Sequence, residues 1–166
     1  MPGGKPIRER RHRLPRDAYR GPVAASFTAC VKGRRSIFND GGMVQELVAS
    51  LREACDLHAC QVLAYCFMPD HLHAVLQGKS ADAHTWKAFV HFKQKTGYWL
   101  KRRRSRISWQ KDFYDHVLRA EEDLASHIRY IVENPVRMGL VRHWQDYPFT
   151  GSMGLNLTQY LGVDAG

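Results

Sequence analysis

Two apolar runs, residues 60–67 and 72–76, are separated only by Met68, Pro69, Asp70 and His71, a gap far too short for a crossover connection. Pro69 and Asp70 are turn formers, so the pair reads as a tight hairpin and commits this part of the chain to an antiparallel sheet. Upstream, residues 23–31 read as a buried strand, closed by the Lys32 to Arg35 turn around Gly33. Past the breakers Asn39 to Gly42, the residues Met43, Leu47, Val48 and Leu51 repeat at helical spacing up to about Cys55. Downstream, Trp86, Phe89, Val90 and Lys93 recur at helical intervals within residues 82–104, with Gly97 as the point where the helix could break. Residues 109–118 read as a fourth strand. Residues 121–134 read as a third helix, whose Glu121, Glu122 and Asp123 suit a helix N-terminus. The order βαββαβα predicts an α+β, ferredoxin-like split βαβ fold: an antiparallel sheet of about four strands, two helices on one face, and a further helix bearing Tyr130. The other sheet face is then open for a site. Glycines and prolines after Pro135 predict irregular chain that packs back through Trp144, Tyr147 and Phe149.

A chain of 166 residues, 44% hydrophobic, can bury one core. The expected organisation is a flexible basic arm over residues 1–20, rich in arginine, glycine and proline, one domain over 21–150, and a tail over 151–166. No apolar run approaches the length that spans a bilayer, and residues 1–20 hold no secretory apolar stretch, so the expected setting is cytoplasmic with no membrane partner. Cys30, Cys55, Cys60 and Cys66 form no CxxC pair and read as small core residues.

The net charge of +9 is local. Nine basic residues and no acidic one lie within residues 83–111, and the remaining Lys and Arg match the acidic residues in number. Such a stripe, interleaved with Trp86, Phe89, Phe92, Tyr98 and Trp99, fits a polyphosphate partner with exposed bases. Lys87, Lys93, Lys95, Lys101, Arg102, Arg103, Arg104 and Arg106 are the candidate nucleic-acid contacts.

His71 and His73 are two residues apart on a strand, so both imidazoles emerge on one face while Leu72, Ala74 and Leu76 point to the other. An imidazole pair can bind a transition metal, and taken alone it suits zinc as well as any other. The third alternating position is Val75, which excludes a histidine-triad phosphate hydrolase. On the third helix His127, Tyr130 and Asn134 share a face, and Leu124, Ile128 and Ile131 line another. Pro135 ends the regular helix there. Each feature has an ordinary alternative: surface histidines, an amphipathic tyrosine, a helix-capping asparagine.

Together, Tyr65-Cys66-Phe67-Met68-Pro69-Asp70-His71-Leu72-His73 and the later Tyr130-Ile131-Val132-Glu133-Asn134-Pro135-Val136-Arg137 resemble the REP-associated tyrosine transposases, relatives of the Y1 transposases of the IS200/IS605 type within the HUH endonuclease group. Residues 109–116 look like the strand before that family's tyrosine helix, residues 34–38 like its first turn, and the resemblance covers about residues 19–149. It implies a divalent cation, Mg²⁺ or Mn²⁺, held by His71, His73 and the Asn134 amide oxygen, with Tyr130 as nucleophile. Typical IS200/IS605 members place glutamine four residues after the tyrosine, whereas Asn134 stands here as in the REP-associated branch, and Glu133 is a competing third ligand. The implied activity is cutting and rejoining single-stranded or hairpin DNA of palindromic repeats through a 5′-phosphotyrosine, by a monomer or, alternatively, by a dimer. The alternative is a domesticated hairpin-binding regulator without catalysis. RNA stays open, since nothing in the sequence identifies a reader of the 2′-hydroxyl.

Overall fold

The computed structural model describes residues 14–103 and 106–162. Its elements are β1 (Ala24–Cys30), α1 (Gly41–Leu57), β2 (Cys60–Met68), β3 (His71–Gly78), α2 (Thr85–Arg103), β4 (Tyr114–Leu118), α3 (Glu121–Val132), α4 (Asn134–Arg137), β5 (Thr150–Gly151) and α5 (Leu157–Tyr160). The strands form one antiparallel sheet in the order β4-β1-β3-β2-β5. This is the expected α+β arrangement with a fifth strand, a two-residue edge contributed by the C-terminal segment.

Alternation along the strands sorts side chains onto two faces. Phe27, Ala29, Phe67, Leu72, Ala74 and Leu76 are fully buried against α1 and α2, where Phe27 stacks on Phe89 at 4.6 Å. Burying each such large apolar side chain stabilises the fold by roughly 1.5–3 kcal/mol. On the second face Cys66, Met68 and Val75 lie beneath Ile128, Ile131 and Val132 of α3, with Tyr147, Leu157 and Leu161 alongside. The two faces keep their identity along β2 because a bulge between Val62 and Ala64 resets the alternation: Leu63 and Ala64 both join the second cluster, and Phe67 returns to the first.

Several expectations require correction. The second face is not open, since α3 and the C-terminal segment cover most of it. Gly97 does not break α2, which runs unbroken through it with Trp109 packed alongside. The fourth strand is shorter than residues 109–118, because the Trp109 indole turns to α2 and donates to Thr96 Oγ1 at 2.9 Å. Residues 16–19 form a 3-10 turn whose Tyr19 is buried against Trp86, so the basic arm does not extend through residue 20. Residues 1–13 and 163–166 lie outside the described residues. The tail packs on the core through Leu157 and Leu161. All four cysteines are free and buried, as expected. No helix among the described residues is long and apolar enough to cross a membrane.

Candidate active site

On the α3 side of the sheet the strand register sets Tyr114, Thr28, His73 and Cys66 in one row and His116, Ser26 and Val75 in the next, while Cys30, His71 and Met68 form a row at the turn end. The two histidines face each other, with Nε2 atoms 3.1 Å apart and rings nearly perpendicular. Each outer nitrogen meets an oxygen: His71 Nδ1 lies 2.6 Å from Asp70 Oδ1, and His73 Nδ1 lies 2.9 Å from Thr28 Oγ1. Arg34 Nε donates to the other Asp70 oxygen at 2.8 Å. Burial alone would push the Asp70 carboxyl up, but the bonds from His71 and Arg34 outweigh it and hold the carboxyl below its usual range. An ionised carboxylate only accepts, so His71 Nδ1 is the donor in that bond. Burial, and then the neighbouring His71, bring His73 down to about 3, so this imidazole is neutral at pH 7.

Arg34 is one of two non-glycine residues in the left-handed region among the described residues, at φ 54°, directly after Gly33 at φ 73°. That strained turn is what delivers the guanidinium to Asp70, and its NH1 also reaches Cys30 Sγ at 3.3 Å.

The geometry fits a divalent cation. Neighbouring ligands of an octahedral ion with bonds of about 2.1 Å are separated by about 3.0 Å. Outer oxygens that fix the ring orientation are the usual support for ligating imidazoles. Asn134 is half-buried and opens α4. Among the described residues no three His, Cys, Asp or Glu side chains gather at metal-binding distance. Glu133 lies 3.7 Å from Arg129 in an i,i+4 pair.

Tyr130 is 56% exposed on α3. The Arg137 guanidinium carbon lies 3.8 Å from its ring centroid, and the His127 ring is nearly parallel to it at 6.4 Å. His127, beside the phenol, reaches Ser26 in the row next to His73, so the phenol and the imidazole pair lie on the same side of the sheet. His127 Nε2 is 2.6 Å from Ser26 Oγ, which ties α3 to β1. Burial, then His116, lower the His127 pKa. Thr28, Asp70 and Ser26 were not foreseen as site residues. Ser26 and Thr28 alternate with Phe27 in an otherwise apolar strand, a signal that could have placed them beside the histidines.

The basic residues divide. α2 covers the face opposite the histidines, so Lys87, Lys93 and Lys95 are not brought to the site. Lys93 Nζ donates to the carbonyls of Gln110 at 2.6 Å and Lys111 at 3.0 Å, and Lys95 pairs with Glu53. Lys101, Arg102 and Arg103 are exposed at the end of α2. Arg106 adjoins the strained turn, its carbonyl accepting from Arg35 NH1 at 3.2 Å. Arg104 lies outside the described residues. A groove of about 770 Å³ along α1, lined by Val44, Val48, Leu57, Tyr65 and Phe149, is on the side away from His71 and His73.

A protein-family profile described as "Transposase IS200 like" matches residues 23–134, a stretch that contains His71, His73, Tyr130 and Asn134. The chain belongs to the IS200-like transposase family. This IS200-like transposase is 29% identical over 137 residues to a Haemophilus influenzae protein described as a REP-associated tyrosine transposase, covering 75% of this chain and 76% of that one. It is 29% identical over 97 residues to the REP-associated tyrosine transposase of Escherichia coli K12, covering 54% and 53%. Its fold is similar to the solved structure of a REP-associated tyrosine transposase bound to a REP hairpin, with a TM-score of 0.70 at 24% identity, covering 84% of this chain and 80% of that one.

Proposed function

We propose that this IS200-like transposase is a metal-dependent endonuclease and strand transferase for single-stranded or hairpin DNA, with Tyr130 as the nucleophile and His71, His73 and Asn134 as the ligands of Mg²⁺ or Mn²⁺. The observation that carries the reading is the pair of Nε2 atoms 3.1 Å apart, each ring fixed by an outer oxygen, on the same side of the sheet as an exposed tyrosine. A bound divalent cation would polarise a non-bridging oxygen of the scissile phosphate and stabilise its developing charge. Tyr130 Oη forms the bond to phosphorus, the bond from phosphorus to the 3′ oxygen breaks, the phenol gives up its proton and the 3′ oxygen takes one up. The product is a 5′-phosphotyrosine and a free 3′-hydroxyl. Bond energy is retained, so the step reverses onto another 3′-hydroxyl without ATP.

Hairpin DNA is the proposed substrate because a similar fold is recorded on such a hairpin. Lys101, Arg102, Arg103 and Arg106, with Arg34 and Arg35, form the proposed phosphate path. The test is incubation of labelled hairpin DNA with the full chain and Mn²⁺, with and without chelator. A covalent adduct that disappears with chelator, in Tyr130→Phe and in His71→Ala, while hairpin binding survives, is the expected result. Binding without any adduct would leave a hairpin-binding protein and refute the catalytic reading.

A further inference from the structure

Arg137 is exposed on α4, three residues beyond the stretch that matches the family profile, and it makes two contacts with one residue. Its NH2 donates to the Tyr130 main-chain oxygen at 2.6 Å, and its guanidinium carbon lies 3.8 Å from the Tyr130 ring centroid. The first contact satisfies a carbonyl in the last turn of α3, where intrahelical donors run out, and a helix cap would need nothing more. The second is not explained by capping. A planar cation on the face of a solvent-exposed phenol removes the ring's freedom to swing and desolvates one side of each group.

The position of the arginine is itself constrained. Pro135 is buried at the start of α4, and Gly139, at φ 73°, lies just beyond Met138, the residue that closes it, so Arg137 sits on a rigid four-residue step. This step packs on β2, whose Cys66 is paired with His73, so the guanidinium stands against the phenol on the side of the sheet that carries the imidazole pair. One N–H is committed to the Tyr130 carbonyl, and the remaining donors of the fork are available to a phosphate oxygen.

We infer that Arg137 is a positioning residue for the Tyr130 ring and supplies a second cationic contact to the scissile phosphate beside the metal. This rests on the reading of Tyr130 as nucleophile. As the phenol oxygen bonds to phosphorus, negative charge accumulates on the non-bridging oxygens, and a fixed donor there favours the transition state over the bound ground state. Lysine keeps the charge but loses the planar fork, so it is an incomplete replacement.

The experiment has two arms on the full-length chain. In the first, ¹⁹F spectra of 3-fluorotyrosine-labelled protein without DNA, with the Tyr130 resonance assigned by Tyr130→Phe, are compared between wild type and Arg137→Gln. The resonance is expected to move, and an unmoved resonance overturns the ring contact. In the second, single-turnover cleavage of a labelled hairpin with Mn²⁺ is compared with hairpin affinity in chelator. Arg137→Gln is expected to slow adduct formation about 100-fold, as loss of one transition-state donor does, while affinity changes less than about threefold. Arg137→Lys is expected to restore affinity and to remain about tenfold slow. Cleavage by Arg137→Gln at the wild-type rate, or a rate loss matched by an equal loss of affinity or of thermal midpoint, overturns the inference and leaves a helix cap. If the wild type itself forms no Tyr130 adduct, the nucleophile reading fails and takes the phosphate contact with it, whereas the spectra still decide the ring contact.

Discussion

Lowering the pH from 7 to 5 on the metal-free protein tests the electrostatics of His73. Burial, then His71, hold this imidazole at about 3 in the fold, against an ordinary value near 6.5. The folded group is thus neutral through the whole interval while the unfolded group takes up a proton, so the stability it contributes is present above about 6.5 and is lost as pH falls towards 3. At pH 5 the unfolded chain gains about RT ln(1 + 10^1.5), or about 2 kcal/mol, relative to the fold. The size of that loss is set almost wholly by the unfolded value, because a folded value anywhere well below 5 gives the same result. His127, His58 and His84 are also depressed by burial and act in the same direction, so a double difference is needed. Urea unfolding followed by tryptophan fluorescence in chelator, at pH 7 and pH 5, is compared between wild type and His73→Gln. The wild type is expected to lose about 2 kcal/mol more than the variant. A double difference below about 0.5 kcal/mol would mean that His73 is solvated and charged, and the buried, neutral ligand would be lost with it.

Thr28→Val removes the oxygen that fixes His73 Nδ1, so Mn²⁺ affinity measured by calorimetric titration is expected to fall about 10- to 100-fold with the fold intact. Lys93→Met withdraws the donor from the Gln110 and Lys111 carbonyls, and an expected loss of about 1–3 kcal/mol in urea unfolding, with hairpin affinity unchanged, separates a structural lysine from a phosphate contact.

How much of this was legible in the sequence depends on whether the signal was local. The histidine pair follows from the two-residue period of a strand and the Met68 to Asp70 turn, and the buried stripe Leu124, Ile128 and Ile131 follows from helical spacing. The bulge after Val62 was invisible because an unbroken apolar run shows no alternation to interrupt. Lys93 reads in the sequence as a nucleic-acid contact within the basic stripe, since nothing near it reveals that residues 110 and 111 return to it. Tyr19 was masked by its basic, proline-rich surroundings, although a single aromatic there is what closes the core against Trp86 and Phe27. Asp70 reads in the sequence as a turn residue, and its second task on His71 arises only in the fold.

The placement of α2 on one side of the sheet and of the histidine pair on the other has a topographic consequence. Val31 bridges Trp109, Lys32 N–H donates to the Ser108 carbonyl, and Arg35 reaches Arg106, so the chain leaving α2 meets the His71 end of the sheet through this one corner. On the proposed phosphate path, a nucleic acid running from Lys101 to His71 would cross that corner, so the bridge and the two hydrogen bonds that pin it would set where such a strand arrives before any base is read.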